Sequence, residues 1–290
     1  MNCKYSIIVS GILILMLIAA PVLAKQDETD DEDKYKIKDE WKGKHMVKEK
    51  HGDLTLVVFL KYSLGDPDGD GNQDGYEILD YKWSRYPVYY TINPSYPVNN
   101  YGLVKSAVVA AIKDSFESWD TAVDLSRTDY TSVYNWKGKA YCLPYGYQTT
   151  NPIELFNNTP VIKNTAKASP SSPDYKNVVT WGRLSEENVL AVTTVWYYTA
   201  SGQIIDADIV FNTAYTWGID TDGEKAGNVL PSSTFDIRNI GTHEAGHVCG
   251  LADLYDPVYT GMTMYGYGSS GEVKKMSLEP GDVTGIQMIY

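Results

Sequence analysis

The sequence predicts an α+β domain. Three observations predict it: a long amphipathic helical stretch at Leu103–Trp119, strand-like stretches at Ala191–Tyr198 and Ile204–Phe211, and a helix that carries His243 and His247. In the long stretch, Val104, Ala107, Val108, Ala111, Ile112, Phe116 and Trp119 fall on one face at the 3.6-residue period. Together the two stretches are rich in Val, Ile, Thr and aromatic residues, as strands are.

The chain opens as a secretory signal does. Lys4 supplies a positive charge, Ile7–Ala20 is apolar, and Val22-Leu23-Ala24 is a small-residue cleavage site, so 1–24 is read as a signal peptide and Lys25 as the mature start. The alternative is an uncleaved membrane anchor, because Ile7–Ala24 is nearly long enough to span a bilayer. With the signal cleaved, the protein is expected outside the cell and without stable membrane association. A formal net charge of −12 over 290 residues excludes nucleic-acid binding driven by bulk charge. Cys3 leaves with the signal. Cys142 and Cys249 remain, as a disulfide or as buried thiols.

Residues 25–77 read as a charged leader that could be a propeptide. Gln26–Asp33 is a solvated acidic run, and Leu54–Leu60 is a strand, of a propeptide or of the mature fold. Asp66–Glu77 then spaces oxygen donors at Asp66, Asp68, Asp70, Asn72, Asp74 and Glu77, with Gly71 at the sixth position. This is the donor pattern of a calcium loop of the EF-hand kind. Gln73 replaces the usual aliphatic residue and no amphipathic helix flanks it, so the loop is more similar to those of dockerin or thrombospondin-type repeats. Ca2+ there would stiffen a linker; a solvated acidic turn is the plainer reading.

From 78 to 290 the chain reads as one catalytic domain. Val88–Ile92 is its first strand, 156–176 a surface loop rich in Asn, Ser, Pro and Lys, and Asp236 an N-cap for the His-bearing helix. Asp206 and Asp208 share one face of their strand; these and Asp220–Glu224 could bind calcium or simply cap and solvate. His243-Glu244-Ala245-Gly246-His247-Val248-Cys249-Gly250-Leu251-Ala252-Asp253 reads HExxHxxGxxD. Two histidines one turn apart can reach a single Zn2+, the intervening Glu244 points to the same place, Gly250 stops the helix, and Asp253 lies where the returning chain could add a third ligand. Glu272, Glu279 and Asp256 are the other acidic candidates for that ligand. Cys249 lies round the helix from the histidines and points away.

These motifs resemble the metzincin zinc peptidases, matrixins above all, over 81–290. Lys82-Trp83-Ser84, Val88–Ile92 and the long helix are similar to the start of a matrixin catalytic domain. Thr263-Met264-Tyr265 resembles the Met-turn, and Leu278–Tyr290 the C-terminal helix. Asp253 in place of the usual His resembles snapalysin. The resemblance implies a twisted, mostly parallel mixed sheet backed by the long helix and the zinc helix. It implies Met264 as a structural floor, Ala207, Asp208, Ile209, Val210 and Phe211 as an edge strand that pairs with a polypeptide substrate, and Glu244 as the base for a metal-activated water. Tyr267 stands where some metzincins carry a metal-reaching tyrosine, although an ordinary buried tyrosine is the plainer reading. Matrixin propeptides silence the enzyme with a Cys; 25–82 has none, which leaves an Asp, His45 or His51 as the blocking group of any zymogen. The expectation is a secreted zinc endopeptidase. The alternative is a catalytically silent, calcium-dependent surface-binding protein on the same fold.

Overall fold

Nine strands and four α-helices follow one another along the chain in a computed structural model that describes residues 37–42, 44–62, 75–123, 153–225 and 230–290. In order they are β1 (Met46–His51), β2 (Leu54–Tyr62), β3 (Tyr90–Ile92), α1 (Ser95–Tyr101), α2 (Lys105–Val123), β4 (Val161–Ile162), β5 (Asn177–Gly182), β6 (Val189–Tyr198), β7 (Ile204–Asn212), β8 (Thr216–Gly218), β9 (Thr234–Asp236), α3 (Ile237–Cys249) and α4 (Pro280–Ile289). Seven strands form one sheet in the order β1-β2-β6-β7-β5-β3-β4. The pairings from β1 to β7 are antiparallel and those from β7 to β4 are parallel. The sheet is therefore mixed in equal measure rather than mostly parallel.

The difference comes from the leader. Residues Gly52 and Asp53 close a tight hairpin, with Gly52 at φ +63° where a two-residue turn needs a left-handed residue. This hairpin adds β2 to β6, from Leu54 opposite Tyr198 to Tyr62 opposite Val189. The leader strand is thus a full member of the sheet.

The expected substrate edge strand, Ala207 to Phe211, is not an edge. It lies in β7, with β6 on one side and β5 on the other. The physical reason is that β5 and β6 flank it and the two faces are covered: Ile204–Asn212 is buried along nearly its whole length, Asp206 and Asp208 included. Its neighbour β6 is the strand that would stand at the border of the sheet without the hairpin.

One face of the sheet carries the helices. Val108, Ala111, Ile112, Phe116 and Trp119 of α2 bury the face that the periodicity picks out, but the helix starts at Lys105, so Val104 before it stays exposed and Ala107 in its first turn is half-buried. The helix runs on to Val123 because Ala122 and Val123 are also buried. The Trp119 Nε1 donates to Thr242 O at 2.8 Å, joining α2 to α3. A Cβ at Gly241 would lie 2.6 Å from Ser115 Oγ, so glycine there permits the close approach of the two helices. The 156–176 segment is largely loop, with β4 as a short exposed edge strand. No helix among the described residues is long and apolar enough to cross a membrane.

Candidate active site

The site is built on the last two turns of α3 and the chain that returns from it. Asp236 opens the helix in extended conformation and its carboxylate accepts from Asn239 N at 2.7 Å, as an N-cap does. Gly250 closes it at φ +102°, and a Cβ there would also strike Tyr81 O at 2.6 Å. The turn sends Leu251–Asp253 back beneath the helix. Leu251 O meets His247 Nδ1 at 2.8 Å, and Thr263 O meets His243 Nδ1 at 2.8 Å. A backbone carbonyl only accepts, so each Nδ1 carries the ring proton and each Nε2 keeps its lone pair.

Those two lone pairs face one another and a carboxylate. The Nε2 atoms are 3.1 Å apart, and Asp253 Oδ1 lies 3.0 Å from His243 Nε2 and 3.7 Å from His247 Nε2. Asp253 Oδ1 is buried without a hydrogen-bond donor, while Tyr255 Oη donates to its other oxygen at 2.9 Å. Burial holds both imidazoles below the usual histidine range, His243 well below it. Three acceptor atoms converge with no proton between them, which is repulsive unless a cation sits at their centre. Tetrahedral Zn2+ with Zn–N bonds of about 2.0–2.1 Å would separate its ligands by about 3.3 Å, the range these three atoms span. Among the described residues this is the one group of three or more His, Cys, Asp or Glu side chains whose donor atoms all lie within 4.8 Å of each other.

Residues 186–290 match the family model of the matrixins, a family of zinc metallopeptidases. The chain carries a matrixin-like metallopeptidase domain. No curated protein matches the sequence. The match spans β6 to α4 and so includes the proposed ligands, Glu244 and the Met-turn.

In the matrixin-like site Glu244 lies on the same helix face, fully buried. Its Oε2 accepts from Thr193 Oγ1 at 2.5 Å, and its Oε1 is buried with no hydrogen-bond partner. Burial pushes the carboxyl up to about 8, against the opposing pull of Thr193 and Lys61. Beneath the helix, Met264 is packed so closely that a Cβ on Gly246 would overlap its Sδ. The turn holding Met264 is fixed by Asp282, whose carboxylate accepts from Thr263 N at 2.9 Å and Met264 N at 3.2 Å. Tyr267 is buried in the apolar cluster on the opposite face, with its Oη 3.5 Å from His45 Nε2. Cys249 is fully buried and burial raises its thiol well above the usual range; a pairing with Cys142 lies outside the described residues.

The other acidic candidates have structural partners instead. Asp256 accepts from Val258 N at 2.9 Å, Glu272 lies 3.2 Å from Lys275 Nζ, and Glu279 caps α4 in a reciprocal box with Asp282. Asp208 accepts from Ser169 N at 2.7 Å and Val178 N at 2.9 Å, and Asp206 from Asp174 N at 2.9 Å, so both tie the 169–178 segment to β7. Asp220 accepts from Asp222 N and Gly223 N, at 3.1 and 3.0 Å. Of the calcium-loop residues, Asp66, Asp68, Asp70, Asn72 and Asp74 lie outside the described residues; Glu77 O accepts from Ala252 N at 3.0 Å, beside the zinc loop.

Thr193, Tyr255 and Asp282 escape the sequence reading because each acts on a group brought to it by the fold. Asp282 alone left a signal, the Glu-x-x-Asp spacing of a capping box. Two leader residues are the larger surprise. The Phe59 ring stacks on His247 with centroids 3.9 Å apart and planes 7° from parallel. The Lys61 Nζ donates to Tyr265 O at 2.5 Å. His45 and His51 do not fill this place: His45 packs on Tyr255 and His51 on Trp196.

Proposed function

We propose that the protein is a secreted zinc endopeptidase that hydrolyses peptide bonds with Glu244 as general base. The observation that carries this reading is the orphaned Oε1 of Glu244 beside three converging acceptors that need a cation. His243, His247 and Asp253 would hold zinc, which supplies a Lewis acid for the scissile carbonyl and lowers the pKa of an attacking water. The remaining chemistry belongs to the chain. Backbone carbonyls fix the tautomer of each histidine, and Tyr255 turns the Asp253 carboxylate so that one oxygen faces inward. Thr193 holds one oxygen of Glu244 and leaves the other to accept a proton from water. Burial raises the carboxyl above the usual range, which makes it the stronger proton acceptor once ionised and lets it return the proton to the leaving amine. With the anionic Asp253 as third ligand, a metal held here would be a weaker acid than one held by three neutral imidazoles. Secretion rests on the signal-like segment 1–24.

The test is hydrolysis of an unfolded polypeptide by the full chain and by its limited-proteolysis products, beside Glu244→Gln. The expected result is a loss of about 10²–10⁴-fold in the variant, with zinc content unchanged. Equal hydrolysis by the variant would remove Glu244 from its role. Zinc-loaded wild type that stays inactive in every form would overturn the peptidase reading.

A further inference from the structure

A hydrolase must admit its substrate, yet this site is shut. His243, Glu244 and His247 have no exposed surface and Asp253 keeps 5 % of its own. What closes it is β2. An extended peptide binds a sheet by pairing with an open strand border. The strand that runs beside the zinc helix is β6, whose Thr193 holds Glu244, and its free side is taken along its length by β2. Phe59 stands directly opposite Thr193 and Lys61 opposite Ala191. Phe59 and Lys61 are two residues apart and share the face of β2 that looks onto the site. The first stacks on a metal-ligand ring, and the second reaches Tyr265 O, a carbonyl that also accepts from Lys275 Nζ at 2.9 Å. Burial and the neighbouring Lys275 lower the Lys61 pKa well below the usual lysine range, against the opposing pull of Asp253, Glu272 and Glu244.

We propose that β2 is a tethered strand occupying the substrate cleft, and that Phe59 and Lys61 mark the side chains the cleft takes: an aromatic residue over His247 and a basic residue two positions later, at the Tyr265 carbonyl. The proposal rests on the peptidase reading of the same site. It makes the leader the chain's own inhibitor through strand pairing, with no cysteine, and it makes segments of the form aromatic-x-Lys the substrate class. Ile37 and Trp41 fasten the strand from its other face, over Leu56, Val58 and Leu60.

The test uses the full-length, zinc-loaded chain carrying Val57→Cys and Val195→Cys, directly opposed positions in the β2–β6 ladder. A disulfide there locks the strand, and a phosphine reductant frees it, so one folded protein is compared with itself. Access to the metal is read by binding of a peptidyl hydroxamate, which requires no turnover. Oxidised protein is expected to bind it at least about tenfold more weakly than reduced protein, because locking removes the open fraction. Phe59→Ala in the otherwise unaltered chain is expected to bind it more tightly than wild type. Equal binding in the two redox states overturns the proposal. Hydroxamate binding that follows the lock, without hydrolysis of any peptide by the reduced or Phe59→Ala chain, supports the occupancy and sinks the peptidase reading. Hydrolysis that is equally fast in both redox states does the reverse. For the subsites, reduced protein should cut a quenched peptide containing Phe-x-Lys faster than its Phe-x-Glu and Gly-x-Lys counterparts; equal rates overturn that assignment.

Discussion

On one face of the sheet, α2, α3 and α4 bury Trp119, Phe211, Ile240 and Met264 in a single apolar cluster that surrounds the zinc helix; on the other, the short segment Ile37–Trp41 covers Leu56, Val58, Leu60 and Trp196. The first face is held by α3 and α4 of the matched region, by α2 from outside it, and by hydrogen bonds from α2 to α3 and from the Met-turn amides to Asp282. The second is held by the leader. Of the leader strands, β2 contributes to both clusters as the interior strands β6 and β7 do, with Val57 and Phe59 on the helix face and Leu56, Val58 and Leu60 on the other. The difference separates what builds the chemistry from what covers it: a lesion on the helix face should cost the fold and the metal, whereas a lesion under the leader should loosen the cover and leave the metal in place.

The largest effect is expected from Met264→Ala, which empties the floor beneath α3. A buried large-to-small change of this kind costs about 2–5 kcal/mol, and here it should lower the thermal midpoint and zinc affinity together. Trp41→Ala should remove about 3 kcal/mol from the smaller core, since Trp41 is 8 % exposed and its Nε1 donates to Glu49 at 2.8 Å. Zinc affinity should be unchanged while hydroxamate binding rises; a parallel loss of zinc would collapse the distinction between the faces. Gly246→Ala comes next. Its Cβ would overlap Met264 and approach Trp119 Cζ2 at 2.7 Å, an overpacking worth about 1–3 kcal/mol.

Two smaller effects concern charge. The Thr193 hydroxyl lowers the pKa of Glu244. Removing it in Thr193→Val should raise that pKa, so the acid limb of kcat/KM should move to higher pH. An unchanged profile with lower activity would mean a packing defect instead. On β7, burial pushes Asp208 up to about 8 and Asp206 up to about 6, with the Asp206 charge adding to the rise at Asp208. Both folded values lie above the unfolded one, so the folded state holds these protons more tightly. Their contribution to stability is full below about pH 4 and is lost as pH rises through 6 and 8. The thermal midpoint of wild type should therefore fall between pH 5 and pH 8.5 more than that of Asp208→Asn.

The same contrast decides what was legible in the sequence. The zinc helix declares itself locally: a cap at Asp236, two histidines one turn apart, a left-handed Gly250 and Asp253 just beyond it. The amphipathic face of α2 and the strand at Leu54 are likewise local periodicities. The place of β7 inside the sheet is not local: Asp206 and Asp208 on one face of the strand read as solvated, and only the fold buries them. The role of β2 was hidden more deeply, because a strand's sequence does not name its partner, and β6 lies far along the chain. Thr193 and Tyr255 carry no motif at all; they matter through the atoms they touch.

The most direct test of the account is the zinc affinity of the full chain, measured by competition with a chelator, beside that of Asp253→Ala. Closure of the metal site by a carboxylate predicts one zinc per wild-type chain and a loss of more than about 100-fold in the variant, since even outer-shell partners are worth up to that much. An Asp253→Ala chain that binds zinc as tightly as wild type would contradict it.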